Sequence, residues 1–207
     1  MSKPSTLRLA AFLPHSRANG PGLRSVLWVH GCALRCEGCF NPDFQPFAGG
    51  YESTVDEAVA LLLAQADTEG VSFSGGEPFA QAAALAEVAE AVRAVGKGVM
   101  VFTGYEAATL RTSRNPGVRR LLAAADLLAA GPYRRDLPQH HPLLASSNQE
   151  LLYLTERYRG VELGPRRSEF RIGVDGSVSV TGFPVDVDVV GRPSGRHVGL
   201  KPDLREP

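Results

Sequence analysis

Between residues 24 and 130 the apolar positions follow two alternating patterns, short unbroken runs and longer stretches with a period near 3.6. Val26-Leu27-Trp28-Val29 is a run of strand length, entered through the turn-forming Asn19-Gly20-Pro21-Gly22. After Thr54, with Glu57 at capping-box spacing, apolar residues at 55, 58, 59, 62, 63 and 66 predict a helix closed by Gly70. Val71-Ser72-Phe73-Ser74 reads as a second strand broken by Gly75-Gly76. Pro78 then opens a helix over 80–95 that ends at Gly96. Val99 to Thr103 predicts a third strand, 106–124 weaker helical segments, and Leu127 to Ala130 a fourth strand. Farther on, Phe170 to Val174 and Val178 to Thr181 predict a hairpin around Asp175-Gly176. Residues before Asn19 carry no clear pattern.

Strands that alternate with helices call for a parallel sheet with right-handed crossovers, and four such units suit either an open α/β sheet or part of a barrel. The length of 207 residues suits a single domain, with a core over 19–184 and a mobile tail over 185–207.

A composition of 43% hydrophobic and 21% charged residues excludes disorder, collagen and coiled coil. Lysine plus arginine and aspartate plus glutamate both number 22, so no global field favours a polyanion, and nucleic acid is not an expected partner. No apolar run reaches the roughly 18 residues of a membrane span. Leu9-Ala10-Ala11-Phe12-Leu13 is too short for a signal core and is closed by Pro14. A cytoplasmic protein is expected, without a membrane partner.

All three cysteines, Cys32, Cys36 and Cys39, fall within eight residues directly after the first predicted strand. Three thiolates can ligate three irons of a [4Fe–4S] cluster and leave the fourth iron open to a ligand. Zinc would need a fourth protein ligand, for which His30 is nearest in sequence, and the Cys-x3-Cys-x2-Cys spacing is unusual for it. Ser74-Gly75-Gly76-Glu77-Pro78 follows the next strand, on the same predicted sheet edge. Its glycines allow close backbone approach, and Glu77 can accept a hydrogen bond from an amino group. The pairs Arg119-Arg120, Arg134-Arg135 and Arg166-Arg167 read as solvated faces or as docking points for an acidic protein surface.

Together, the cysteine motif and Gly-Gly-Glu-Pro resemble the radical S-adenosylmethionine superfamily. Asn19-Gly-Pro-Gly-Leu-Arg24, His30-Gly31-Cys32 and Cys39-Phe40-Asn41-Pro42 resemble its activating enzymes of glycyl-radical proteins, in particular the activating proteins of anaerobic ribonucleotide reductase. Thr103-Gly104-Tyr105, Gly131-Pro132-Tyr133, Ser147-Asn148-Gln149 and Thr181-Gly182-Phe183-Pro184 extend the likeness to residue 184. The resemblance implies an incomplete TIM-like (βα) barrel of the radical S-adenosylmethionine type with a C-terminal β-hairpin. It also implies a [4Fe–4S] cluster on Cys32, Cys36 and Cys39, and S-adenosylmethionine at Ser74, Gly75, Gly76, Glu77, Thr103 and Asn148. Gly38 stands where most of the superfamily carries a large apolar residue, so adenine packing is expected from Phe40.

The implied chemistry is reductive cleavage of S-adenosylmethionine to a 5′-deoxyadenosyl radical, which abstracts hydrogen from a partner glycyl-radical enzyme, anaerobic ribonucleoside-triphosphate reductase. A flavodoxin- or ferredoxin-type protein is the implied electron donor. Two alternatives stand beside this reading. One is a radical enzyme for a small molecule or peptide, like 7-carboxy-7-deazaguanine synthase or a peptide maturase. The other is a non-enzymatic zinc or iron–sulfur module that staples an interaction surface.

Overall fold

A computed structural model describes residues 5–174, 176 and 178–183 of the chain. The expected tail at 185–207 and the hairpin-turn residue Asp175 lie outside the described residues.

Seven strands form one sheet in the order β3-β1-β2-β4-β5-β6-β7. The strands are β1 (Thr6–Ser16), β2 (Arg24–Val29), β3 (Tyr51–Thr54), β4 (Gly70–Gly75), β5 (Gly98–Thr103), β6 (Leu127–Ala130) and β7 (Glu150–Tyr153). The pairs β2–β4, β4–β5 and β5–β6 are parallel, while β1, β3 and β7 join antiparallel at the flanks. The fold is therefore mixed α/β with a largely parallel centre. Among the described residues no helix is long and apolar enough to cross a membrane.

The helices are α1 (Val55–Leu63), α2 (Ala82–Ala94), α3 (Ala107–Arg111) and α4 (Pro116–Ala124). The capping box at the start of α1 forms: Glu57 N donates to Thr54 Oγ1, and Thr54 N donates to the Glu57 carboxylate. The weak helical stretch after β5 divides into α3 and α4. Asn115 caps the second helix through Gly117 N, and Pro116 supplies its pre-set first turn.

Strand alternation sorts side chains between the two faces of the sheet. Leu27, Val29, Val71, Phe73, Val99, Val101 and Leu128 face the helices, with Leu62, Leu85 and Leu121, in the main core. Burying each such side chain stabilises the fold by roughly 1.5–3 kcal/mol. The intervening residues face the other way. Val26 and Trp28 pack with Ala11 and Leu13, while Met100, Leu127 and Ala129 pack with Leu143, Leu144 and Tyr158. Trp28 and Phe73 are thus both core residues, on opposite faces.

Strand β1 escapes the sequence pattern for a physical reason. Its alternation holds from Thr6 to Leu9, and register shifts at Leu9/Ala11 and Leu13/Ser16 then break the period of two. The apolar run Leu9–Leu13, considered above as a signal-like core, is a buried strand beside β2.

Arg24 ties together the ends of the sheet remote from the cysteines. Its buried guanidinium donates to Ser72 Oγ, Tyr158 Oη and the carbonyls of Pro21, Val71 and Gly98. It also lies 5.3 Å from the Tyr158 ring centroid. Burial lowers its pKa, while Tyr158 and the more distant Asp126 and Glu69 oppose that shift.

A separate antiparallel pair, β8 (Ser168–Ile172) and β9 (Val178–Gly182), follows the main sheet.

Candidate active site

Parallel strands place all their C-terminal ends at one edge, so the loops leaving β2, β4, β5 and β6 converge. The first carries the cysteines. Gly31 N donates to Phe44 O and Cys32 N to Gln45 O, both at 2.8 Å, which holds the start of the loop against the 42–45 turn. His30 Nδ1 lies 2.6 Å from Pro46 O and anchors the same segment. Arg35 at φ 48° and Gly38 at φ 70° are both left-handed, so the chain coils back on itself between the cysteines. Cys39 N then donates to Cys36 O at 3.2 Å, and Asn41 N to the Cys39 sulfur at 3.4 Å.

The loop after β4 packs directly onto this one. Gly76 N donates to Val29 O and Glu77 N to Gly31 O, both at 2.8 Å. A Cβ at Gly75, which has φ 108°, would lie 2.5 Å from Val29 O, and one at Gly76 would collide with Gly31 O. The two glycines therefore serve backbone-to-backbone packing, beyond the ligand approach anticipated from sequence.

Glu77 is buried, and its carboxylate joins two loops. Oε1 accepts from Phe79 N at 2.9 Å and Thr103 Oγ1 at 2.8 Å, and Oε2 accepts from Gly104 N at 2.9 Å. Burial pushes its pKa up to about 7 even though all three donors favour the ionised form. A carboxylate has about four acceptor positions, so one is left for an amino group.

One pocket on the face of the sheet opposite α1–α4 collects most of the residues anticipated from sequence. Cys32, Cys36, Cys39 and Phe40 line it together with Ser74, Gly75, Gly76, Glu77 and Thr103. Trp28 and Phe102, from the strands, share the lining. Asn148 stands apart: it is exposed, outside this lining, and donates to Pro132 O at 2.8 Å. Its neighbour Gln149 lines the pocket and holds Gly131 O at 2.8 Å. Phe40 packs against Tyr133 at 4.9 Å and against Phe183 edge-on at 5.9 Å. Tyr133 also approaches the space a side chain at Gly38 would enter. Glu169, which no sequence motif singled out, also lines the pocket, as do Asn19 and Thr181, which stand in the motifs quoted above but were not assigned to the site.

The donor set fits an iron–sulfur cluster. Three free thiols line one pocket, and the Tyr133 amide hydrogen-bonds to the Cys36 sulfur, as cluster ligands commonly require. Burial raises the Cys36 thiol, the Tyr133 amide opposes that, and Cys39 and Cys32 raise it further by repulsion. Among the described residues no group of three or more His, Cys, Asp or Glu side chains is already gathered around a metal position. A ligating thiol gives up its proton, so metal binding here is coupled to proton release.

The profile of the family described as "4Fe-4S single cluster domain" matches residues 18–152, from the Asn19 turn through β7. The chain belongs to this family. Within the radical S-adenosylmethionine proteins it falls in the glycyl-radical activase group, whose cofactors are a [4Fe–4S] cluster and S-adenosylmethionine. It is 30% identical over 130 residues to the anaerobic ribonucleoside-triphosphate reductase-activating protein of Vibrio cholerae, covering 59% of this chain and 81% of that protein. The protein of the same description from Salmonella typhimurium is 28% identical over 160 residues, covering 72% and 99%. The pyruvate formate-lyase-activating enzyme of Clostridium pasteurianum is 39% identical over 93 residues, covering 42% of this chain and only 39% of that enzyme. The likeness to the activating enzyme of pyruvate formate-lyase thus spans well under half of that relative.

Proposed function

We propose that this chain reductively cleaves S-adenosylmethionine and installs a glycyl radical on a partner enzyme, an anaerobic ribonucleoside-triphosphate reductase. The observation that carries this reading is the convergence of the cysteine loop and the Ser74–Glu77 loop on one pocket. The coverage of the reductase-activating relatives, 81% and 99% of their length, supports the choice of partner.

Cys32, Cys36 and Cys39 would hold the cluster. When bound, the reduced cluster supplies the electron that breaks a carbon–sulfur bond of S-adenosylmethionine, giving methionine and a 5′-deoxyadenosyl radical. The chain's own residues bind and orient. Ser74, Gly75 and Gly76 offer backbone and hydroxyl groups at the strand end, and Glu77 keeps one acceptor position for the methionine amino group. Phe40, supported by Tyr133 and Phe183, presents an aromatic surface for adenine, and Thr103 fixes Glu77. Trp28 and Phe102 form an apolar floor that excludes water from a reactive radical.

The sheet, with its few parallel strands, is read as an incomplete (βα) barrel carrying this site in one domain. An incomplete barrel leaves a lateral opening through which a polypeptide glycine can reach the radical, whereas complete barrels typically need about 250 residues. The electron would come from a flavodoxin- or ferredoxin-type protein in the cytoplasm.

The test is electron paramagnetic resonance on a mixture of reconstituted protein, S-adenosylmethionine, reductant and anaerobic ribonucleoside-triphosphate reductase. A glycine-centred doublet on the reductase, with 5′-deoxyadenosine formed in step, is the expected result. Turnover of a small molecule or peptide, with no doublet on any glycyl-radical protein, would overturn the reading.

A further inference from the structure

The hairpin of β8 and β9 is turned inside out relative to an ordinary half-buried sheet, which buries its apolar side. Its polar side chains point inward. Glu169 accepts from Ser16 Oγ at 2.5 Å and Arg17 N at 2.7 Å, Thr181 Oγ1 accepts from Asn19 Nδ2 at 2.9 Å, and Arg171 donates to His15 O at 2.7 Å. Glu169, Arg171 and Thr181 all line the cofactor pocket. Alternation turns three apolar residues outward: Phe170 is 53% exposed, Ile172 77% and Val178 43%, while Val180, across from Phe170, is half-buried and reaches the pocket lining. Ile172 lies directly across from Val178 in the register, so these side chains form one patch.

We propose that this outward face is the docking surface for the glycyl-radical partner, through an apolar segment with an acidic flank; this rests on the activase reading above. Two observations select that occupant. The first is continuity: the two strands that bear the patch also wall the pocket, so a segment seated on them lies against the wall of the site. The second is charge. Of the three arginine pairs in the sequence, Arg120 is matched by Glu90 and Arg134 by Asp136. At the base of the hairpin Arg166 is engaged, lying 4.6 Å from the Phe183 ring centroid and donating to Leu144 O at 2.9 Å, whereas Arg167 is exposed and, among the described residues, has no carboxylate partner. Glu169, the nearest acid in sequence, is turned inward onto Ser16 and Arg17. The face is therefore apolar with one uncompensated cation, Arg167, at its margin, which complements an apolar segment with an acidic flank.

The test uses the full chain, reconstituted with iron and sulfide, in two variants at exposed positions, Ile172→Asp and Arg167→Glu. Three quantities are measured: 5′-deoxyadenosine formed without partner, the glycyl-radical doublet on anaerobic ribonucleoside-triphosphate reductase, and mass by light scattering. Partner-free cleavage should stay within about two-fold of wild type, while the doublet falls by about ten-fold or more, as expected when a central docking contact is lost. Radical yields unchanged in both variants would overturn the docking proposal and leave the activase reading standing. Unchanged yields with a dimer-to-monomer shift in Ile172→Asp would assign the face to a second copy. Unchanged yields with new protease sensitivity over 184–207 would assign it to the chain's own C-terminal segment. Either assignment overturns the proposal. If wild type cleaves the cofactor yet never marks the reductase, the activase reading fails, and this inference fails with it.

Discussion

The Thr103 hydroxyl donates to Glu77 Oε1 across 2.8 Å, joining the end of β5 to the loop that leaves β4. Through this contact and the Gly104 amide, a single buried carboxylate sets the spacing of two pocket-forming loops. Glu77 is therefore a structural tie as well as the group proposed to face the ligand.

The raised pKa of Glu77 carries a pH signature. Its folded pKa of about 7 lies above the ordinary 4.5, so the folded state holds the proton more tightly than the unfolded state. The stability from this group is full below about pH 4.5 and is lost as pH rises towards about 7, by roughly 3 kcal/mol. Denaturant titrations of the metal-free protein across this window should show that decline, and Glu77→Gln should flatten it. An unchanged slope in Glu77→Gln would show that another group titrates.

Iron content should follow the three thiols. Anaerobic reconstitution should load about four irons and four sulfides per chain, and Cys32→Ala, Cys36→Ala or Cys39→Ala should each reduce this to a small fraction. Iron and sulfide analysis with absorbance near 400 nm checks it; one tightly held zinc with no iron uptake would contradict it.

Gly76→Ala should damage both loops at once, because its Cβ would meet the Gly31 carbonyl oxygen beside Cys32. Cluster loading and S-adenosylmethionine binding should fall together, with a stability loss of about 1–3 kcal/mol. Gly160→Ala is the control. It has a left-handed φ, 74°, which Gly76 does not, but its Cβ would meet nothing within 4 Å. The control should cost about 1 kcal/mol and leave cofactor binding intact.

Arg24→Met should destabilise the chain by about 3 kcal/mol or more, since the carbonyls of Pro21 and Gly98 and the Tyr158 hydroxyl lose a buried charged donor. Arg24→Lys should rescue little, because an ammonium cannot reach five acceptors spread over β4, β5, the Pro21 turn and the Tyr158 side chain. Equilibrium urea unfolding of both variants measures the effect.

The central architecture was legible from local pattern. Val26–Val29, Val71–Ser74, Val99–Thr103 and Leu127–Ala130 are short apolar runs between helices with explicit start signals, such as Thr54 and Glu57, and each became a parallel strand or its crossover. The flanking strands were not legible. Bulges in β1 break its alternation, and β3 and β7, at four residues each, are too short to show a period.

By itself, the sequence determined the cysteine loop and the Gly-Gly-Glu turn, the proposed cluster and cofactor sites, because their chemistry lies in residues close together along the chain: three cysteines in eight positions, and Gly75-Gly76-Glu77 after a strand. Only the tertiary structure decided what surrounds them. It set Gln149 rather than Asn148 in the pocket wall, enclosed the Glu77 carboxylate with Thr103 and Gly104, and brought Glu169 onto Ser16 from 153 residues away. The difference is physical. Ligand identity and turn geometry are local properties of a peptide, whereas burial, pKa and the facing of the β8–β9 hairpin depend on which distant segments the sheet brings together.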